Sequence, residues 1–528
     1  MIPITLNNAA LLAALLFAID FARKSRRPRL PLPPGPPKLP LVGNLFQLPS
    51  SEDWKAYLQW SEQYDSDIIH VDAAGGSIIV LNSMEVATEL LEKRSRIYSS
   101  RAPQPMVCDL MGWDWNFGFQ PYGEKWRRRR RTFLEIFHEK PARQFRPQQL
   151  KATRHLLQKL LETPDNFFSH LNHHAVSVVM STAYGIEIKP ENDPYVGLAT
   201  AALELLVVAL MPGSYLVVRH CFLAGGSAIL TDEFQDFFPW LKHVPSWFPG
   251  AQFKRTAQIT KDLALGMIKK PFDDGKTLTV KYGTPSFVSA AMQKMPDVKD
   301  KQQEEVIRDA AGSMYLAGTD TTASAVMTFI FAMMTAPEAQ TKAQEELDRV
   351  VPHGRLPDFE DQDSLPYVTA LVKETLRWEN VTPLAVPHYI EVEDEYNGYR
   401  IPANSVVMGN IWAILHDKEM YPEPHKFIPD RYIVDGKLNF DNARDPTAVA
   451  FGFGRRVCPG RHMAYSAVWL AIASILKVFR IERPADENGK VIEETYKYRP
   501  GLVTGPEYFK CSIKPRSAEA EELLSHAE

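Results

Sequence analysis

A lone cysteine in a glycine-rich bend constrains this chain more than any other feature. The stretch reads Phe451-Gly452-Phe453-Gly454-Arg455-Arg456-Val457-Cys458-Pro459-Gly460-Arg461 and leads into an apolar helical run, Met463 to Leu476. Glycines let backbone approach a bulky planar group closely, and arginines supply fixed charge for carboxylates. Cationic neighbours and a helix amino terminus favour thiolate over thiol. A thiolate so placed suits an iron ligand, although the same residues would also build an ordinary buried loop. A phosphate loop does not fit, because Gly452-x-Gly454 has no third glycine at position 457.

Composition narrows the frame. The 528 residues are 45% hydrophobic and 23% charged, which excludes a disordered chain and suffices for a large core. A net charge of −4 gives no bulk attraction to nucleic acid. Cys108, Cys221, Cys458 and Cys511 form no CxxC pair, which argues against a disulfide scaffold and a structural zinc site.

Helical periodicity dominates the body. It predicts helices over Trp54–Tyr64, Met84–Lys93, Gln149–Leu161, His170–Tyr184, Leu198–Leu210, Arg255–Ile268, Gln302–Met334 and Glu338–Val350. Strand signals are short, at Ile68–Asp72, Ser77–Leu81, His388–Val392, Tyr399–Ile401 and Ser405–Met408. The fold class is therefore mainly α with small β-sheets, in one large domain over residues 41–515, followed by a polar, mobile tail over 516–528.

The amino end reads as an address. Ile2 to Ala22 holds the apolar run Ala9 to Ile19, weakened by Asn7, Asn8 and Asp20, with Arg23, Lys24, Arg26, Arg27 and Arg29 directly after it. Positive charge after the segment and none before it predicts a retained single-pass anchor over 1–22 with the following domain on the cytosolic side. Residues 23–40 are a basic hinge ending in Leu30-Pro31-Leu32-Pro33-Pro34-Gly35-Pro36-Pro37, too rich in proline for helix and suited to stiff extended chain. Asn380-Val381-Thr382 matches a glycosylation sequon that a cytosolic face leaves unmodified.

Within the Gln302–Met334 helix lies Ala317-Gly318-Thr319-Asp320-Thr321-Thr322. Gly318 would leave room over a ring face, or let the helix pack closely on a neighbour. A threonine hydroxyl can bond back to the preceding turn and open the helix. Asp320 beside Thr321 places together an acid and an alcohol able to relay protons. Glu374 and Arg377 share a helix face at i, i+3. Trp126-Arg127-Arg128-Arg129-Arg130-Arg131 is a basic run that splits between interior and solvent.

The pattern F-x-x-G-x-R-x-C-x-G, filled by Phe451, Gly454, Arg456, Cys458 and Gly460, resembles the heme-binding signature of the cytochrome P450 family. Ala317 to Thr322 resembles that family's oxygen-activation motif, Glu374-x-x-Arg377 with the later Arg431 its buried structural network, and Trp126-x-x-x-Arg130 its cofactor-contacting helix. The resemblance spans nearly the whole chain and is closest in flavour to fungal microsomal members of secondary or xenobiotic metabolism. It implies an α-rich prism with heme b buried between the long central helix and the cysteine loop. Cys458 would be the iron ligand, and Trp126, Arg130, His388 and Arg456 would meet the propionates. Asp320 and Thr321 would deliver protons. It further implies monooxygenation, by hydroxylation or epoxidation, of a small hydrophobic substrate, a fungal metabolite or an aromatic or terpenoid compound. Electrons would come from an NADPH-cytochrome P450 reductase, with cytochrome b5 as an optional second donor, docked on a basic patch that includes Arg455 and Arg461. Membrane lipid and the endoplasmic reticulum complete the setting. Met106, Leu110, Met111, Trp113, Trp115, Phe117 and Phe119 fall in the substrate loop, Leu205 to Phe222 in the lid, and Thr382 to Val386 in a pocket-lining turn. A reductase-independent peroxygenase or isomerase, and a non-catalytic heme binder, stay open as alternatives.

Overall fold

A computed structural model of the protein describes residues 30–40, 42–49, 51–73, 75–210, 243, 245–247, 251–297, 299–486, 488–492 and 497–525. The anchor expected at 1–22, the basic half of the hinge at 23–29 and the lid beyond residue 210 lie outside them.

Helices build most of the body. In chain order they include α1 (Asp53–Gln63), α2 (Glu124–Phe137), α3 (Arg146–Glu162), α4 (Phe167–Tyr184), α5 (Pro194–Leu210), α6 (Gln252–Tyr282), α7 (Lys301–Thr335), α8 (Pro337–Val350), α9 (Pro366–Trp378), α10 (Arg461–Val478) and α11 (Ala518–Ser525). A four-stranded sheet runs β1 (Ile68–Ala73), β2 (Gly76–Leu81), β4 (Ser405–Gly409), β3 (His388–Ile390), with β2 and β4 parallel and the outer pairs antiparallel. His388 is registered with Val407. The expected mainly α architecture with small sheets is what the chain adopts.

The centre is α7. Its 35 residues, at 1.5 Å per residue, make a rod roughly 50 Å long. Asp300 caps it by accepting from the Gln302 and Gln303 amides. It is apolar nearly all round and buried, as expected of a helix at the heart of a large domain. Among the described residues it is the one helix long and apolar enough to cross a membrane, and its burial marks it as core. It packs against α2, α4, α6 and α10.

Three elements depart from expectation for physical reasons. α6 runs on through Pro271, past the predicted stop at Ile268. Gly275 explains part of this continuation, because a Cβ there would lie 2.9 Å from the Tyr184 carbonyl oxygen, so only glycine lets α6 lie against the end of α4. The predicted helix over Met84–Lys93 is α-helical only at Met84–Ala87 and widens to π geometry over Thr88–Lys93. The polar tail is not free chain: Ala518–Ser525 is helical and buries Ala520 and Leu524 against α3 and α10. The proline stretch, expected as stiff extended chain, lies against the body, with Pro34 accepting from the His70 amide and Pro31 from the Arg400 amide.

Candidate active site

Backbone hydrogen bonds set the cysteine loop. The Cys458 amide donates to the Phe451 carbonyl at 2.8 Å, and the Arg456 and Val457 amides close the turn on Phe453 and Gly454. Gly452 and Gly454 take positive φ, +78° and +54°, which an L side chain adopts only with strain. Gly454 is also held by contact, since a Cβ there would fall 2.1 Å from the Leu91 carbonyl oxygen. The loop thus needs this glycine to seat against the Thr88–Lys93 turn, not for approach to a ring. Gly460 differs: the nearest atom to its Cβ position is Phe133 Cζ at 4.0 Å. Burial pushes the Cys458 thiol above its ordinary value, while the Gly460 amide and the charges of Arg130 and Arg461 pull it down. Burial wins, so the protein alone holds a thiol there, and a bound metal cation is what would make it a thiolate.

Four basic side chains converge beside this loop, and their surroundings decide what can bind. Arg456 donates to the carbonyls of Ser99, Phe117 and Gln120, at 2.6, 3.3 and 2.7 Å. Arg101 donates to Gly118, Val386 and Pro387. Arg130 donates to Val457 at 2.6 Å. His388 places Nδ1 2.7 Å from the Tyr98 carbonyl. Trp126 is gripped between guanidiniums, with Arg456 4.4 Å and Arg130 5.4 Å from its ring. No ion pair to a carboxylate is made by Arg101, Arg130 or Arg456 among the described residues. Burial, and after it the charge of neighbouring arginines, pushes the guanidiniums down: Arg101 to about 9 with Arg130 beside it, Arg130 to about 10 with Arg461, and Arg456 to about 8 with Arg101 and Arg130. His388 is depressed to about 3, by burial and by Arg101 and Arg456. Buried cations without counter-charge are costly. A ligand that brings its own carboxylates would supply the missing counter-charge. No local pattern around Ser99-Ser100-Arg101 marks Arg101 in the sequence.

On α7, accessible surface reappears inside an otherwise buried helix: Ala317 is exposed, and Gly318, Asp320 and Thr321 are half-buried between fully buried turns. Thr321 donates to the Ala317 carbonyl at 2.8 Å and Thr319 to Tyr315 at 2.7 Å, so both hydroxyls bond back one turn. Gly318 faces the neighbouring helix, not open space, because its Cβ would sit 2.8 Å from Val179 Cγ2 on α4. Burial raises the Asp320 carboxyl, and Arg499, 3.9 Å away, opposes the rise.

Behind the loop, Glu374 and Arg377 on α9 meet as the i, i+3 spacing anticipates. Glu374 also accepts from Arg431 (3.2 Å), the Tyr432 hydroxyl (3.1 Å) and the Ile428 amide (2.9 Å). The basic run on α2 divides three ways. Arg127 and Arg131 are exposed, Arg130 turns to the cysteine loop, and Arg129 is buried on Asp309 of α7 with Arg308 on the same carboxylate. That third direction is not visible in the sequence.

The family model for cytochrome P450 matches residues 33–512. The chain belongs to the cytochrome P450 family. It is 44% identical to a tryptamine 4-monooxygenase of Psilocybe cyanescens, over 96% of each chain. It is 44% identical to cytochrome P450 monooxygenase 98 of Postia placenta, over 98% of this chain and 97% of that one. A cytochrome P450 monooxygenase of Rhodocybe pseudopiperita is 41% identical, over 97% and 94%. The protein is accordingly a P450 monooxygenase, and the family's cofactor is heme iron.

The donor set fits that cofactor. A P450 heme brings two carboxylates and a metal, and the loop offers one thiol flanked by the uncompensated cations of Arg101, Arg130 and Arg456. Met106, Met111, Trp113, Trp115, Phe117 and Phe119, expected in a substrate loop, are all buried in one core with the first half of α7, and Leu110 packs against it half-buried. Some of them serve packing: Trp115 lies against Gly312, whose Cβ would be 2.9 Å from its ring. In the turn Thr382 to Val386, Ala385 holds φ +55°, and the Val386 carbonyl is tied to Arg101.

Proposed function

We propose that this P450 binds heme b through Cys458 and inserts one atom of dioxygen into a small hydrophobic molecule, the other atom leaving as water with two electrons and two protons consumed. The uncompensated guanidiniums of Arg101, Arg130 and Arg456 beside Cys458, with neutral His388 among them, carry this reading. Heme, when bound, supplies the activation of dioxygen and the transfer of oxygen to carbon. The chain supplies the rest. Arg101, Arg130, Arg456 and His388, with Trp126, hold the carboxylates and fix the register of the cofactor. Phe451, Gly454 and Gly460 shape the ligand loop. Thr321, freed from its bond to Ala317, and Asp320, kept protonated more readily by burial, move protons on the α7 side. Glu374, Arg377 and Arg431 hold the scaffold and do no chemistry.

Electrons come from an NADPH-dependent reductase, with cytochrome b5 as an alternative donor. A groove of about 750 Å³ next to Trp126, lined by Leu134 and by Arg127, Arg131 and Lys140 against the single acid Glu135, supports docking of an acidic partner there. Residues 1–22 anchor the enzyme in the endoplasmic reticulum with the body in the cytosol. The substrate is aromatic or terpenoid. The name of the Psilocybe relative makes an indole amine the first compound to try. The deciding experiment supplies membranes carrying the full chain with reductase, NADPH and labelled dioxygen, and follows a panel of such compounds by mass spectrometry. A product carrying one labelled oxygen is expected. Equal turnover with hydrogen peroxide alone would replace the reductase-driven scheme.

A further inference from the structure

Two hydrogen-bonded paths run from the arginines beside Cys458 to a single turn of α7. The first goes through α2. Arg130 donates to the Val457 carbonyl of the cysteine loop, and its neighbour Arg129 turns the other way, donating through Nε and Nη2 to Asp309 Oδ2 at 3.0 and 2.5 Å. The second goes through the loop before α2. Arg456 donates to the Phe117 carbonyl at 3.3 Å, the Phe117 amide donates to Ser313 Oγ at 3.3 Å, and that hydroxyl donates to the Asp309 carbonyl at 2.8 Å. Asp309 and Ser313 stand one turn apart on α7, so the two paths close a ring through the cysteine loop.

Stability alone does not account for this arrangement. The Arg129 and Asp309 side chains are 6% and 2% exposed, and Arg308 sets a second guanidinium on the same carboxylate at 2.8 Å. Buried ion pairs seldom outdo apolar side chains of their size, because desolvation offsets the attraction, and their best-attested use is to fix register. Register is what the rest of this half of α7 leaves open. From Val306 to Leu316 its buried side chains are apolar apart from Asp309, Ser313 and Tyr315, and Tyr315 bonds to Tyr195 of α5. Apolar burial is non-directional, so the directional bonds at Asp309 and Ser313 decide where the helix stops along its axis relative to α2 and the cysteine loop. The Ala317 to Thr321 stretch begins eight residues beyond Asp309, about 12 Å along the rod. We propose that Asp309 and Ser313 are positioning residues, which fix that stretch relative to the cysteine loop by tying α7 to α2 and to Arg456. The inference deepens the reading of Cys458, Arg130 and Arg456 as the heme site and rests on it.

The test uses the full chain loaded with heme, with carbon monoxide as the probe. The parent, Asp309→Asn and Ser313→Ala are reduced and saturated with the gas. Glu346→Gln serves as the control, a buried carboxylate lost elsewhere, where it holds the Tyr367 and Val368 amides. The optical band of the complex reports the thiolate ligand, and the infrared carbon–oxygen stretch reports the groups that face the gas. All four proteins should keep the thiolate-type optical band. The infrared band should shift or split in Asp309→Asn and in Ser313→Ala and stay at the parent position in Glu346→Gln, whatever each variant loses in melting temperature. An unmoved band strips the residue concerned of its role, and unmoved bands in both variants overturn the proposal and leave a plain structural ion pair. A band displaced as far in Glu346→Gln overturns it too. If Asp309→Asn does not fold, Ser313→Ala, which removes one hydroxyl, decides by the same band. A parent without the thiolate-type optical band overturns the reading of Cys458, and this proposal with it.

Discussion

Arg377 donates through Nε and Nη2 to the two carboxylate oxygens of Glu374, at 2.7 and 2.8 Å, with neither side chain exposed at all. The same carboxylate answers Arg431, Tyr432 and the Ile428 amide. Removing it leaves two guanidiniums in the interior with no counter-charge. Glu374→Gln keeps the shape but not the charge, and should cost about 3–5 kcal/mol of stability. Denaturant unfolding of the purified protein measures this, and a loss under about 1 kcal/mol would show that the network is not the buried scaffold described here.

Arg101 makes the opposite kind of prediction. It crowds Arg456 and His388, and its partners are carbonyl oxygens only. Arg101→Gln relieves repulsion in the cofactor-free protein and removes a counter-charge in the loaded one. The variant should therefore have an unchanged or higher melting temperature when stripped of heme, yet release heme to an acceptor globin several-fold faster. Parallel losses in both forms would make Arg101 a plain structural residue.

These two sites differ in how far the sequence discloses them. Glu374 and Arg377 stand three apart on one helix, so spacing alone brings them together. The same holds for Cys458 in its loop and for Asp320 and Thr321 in α7, because each motif is contiguous. Arg101, Arg130, His388 and Arg456 come from separate stretches of chain and meet only after the sheet, α2 and the cysteine loop are assembled. Glu346 is a similar case. Its carboxylate on α8 accepts from the Tyr367 and Val368 amides at 3.0 and 2.9 Å, capping α9 from another helix, whereas sequence reading looks for a cap directly before Pro366. Glycine at 318 was ambiguous between cofactor room and helix packing, and Val179 decides for packing. Local chemistry is legible in a chain; charge balance across a fold is not.

The pH dependence of stability should carry the signature of buried neutral histidines. His174 is 2% exposed, 3.3 Å from Thr153, and burial lowers it to about 4 from an ordinary 6.5. The unfolded chain takes up a proton there below about 6.5, while the folded protein resists until about 4. His174 thus favours the folded state fully above that upper value, and the advantage drains as pH falls through the window at about 1.4 kcal/mol per unit. His174→Gln, remote from the cysteine loop, should make the slope of unfolding free energy between pH 6 and pH 4.5 shallower by about one proton. An unchanged slope would mean that the folded protein already binds that proton.

Thr321 and Asp320 make the last prediction, which concerns protons and not binding. The Thr321 hydroxyl reaches Ala317, which α7 leaves exposed in mid-helix, so it can serve the oxygen side or its own helix but not both at once. Thr321→Ala removes the alcohol together with one methyl group. Product per NADPH should fall and hydrogen peroxide per NADPH should rise by a similar amount, while Thr321→Ser restores most of the coupling. Arg499 tests the acid separately. It holds Asp320 below the level that burial alone would set. Arg499→Gln should therefore raise that carboxyl further, keep it protonated to higher pH, and move the alkaline limb of the product-formation profile to higher pH. High salt should produce part of the same shift in the parent enzyme, because half of Arg499 is exposed and its charge can be screened. A profile that ignores both changes would remove Asp320 from the proton path and leave Thr321 to carry it with water.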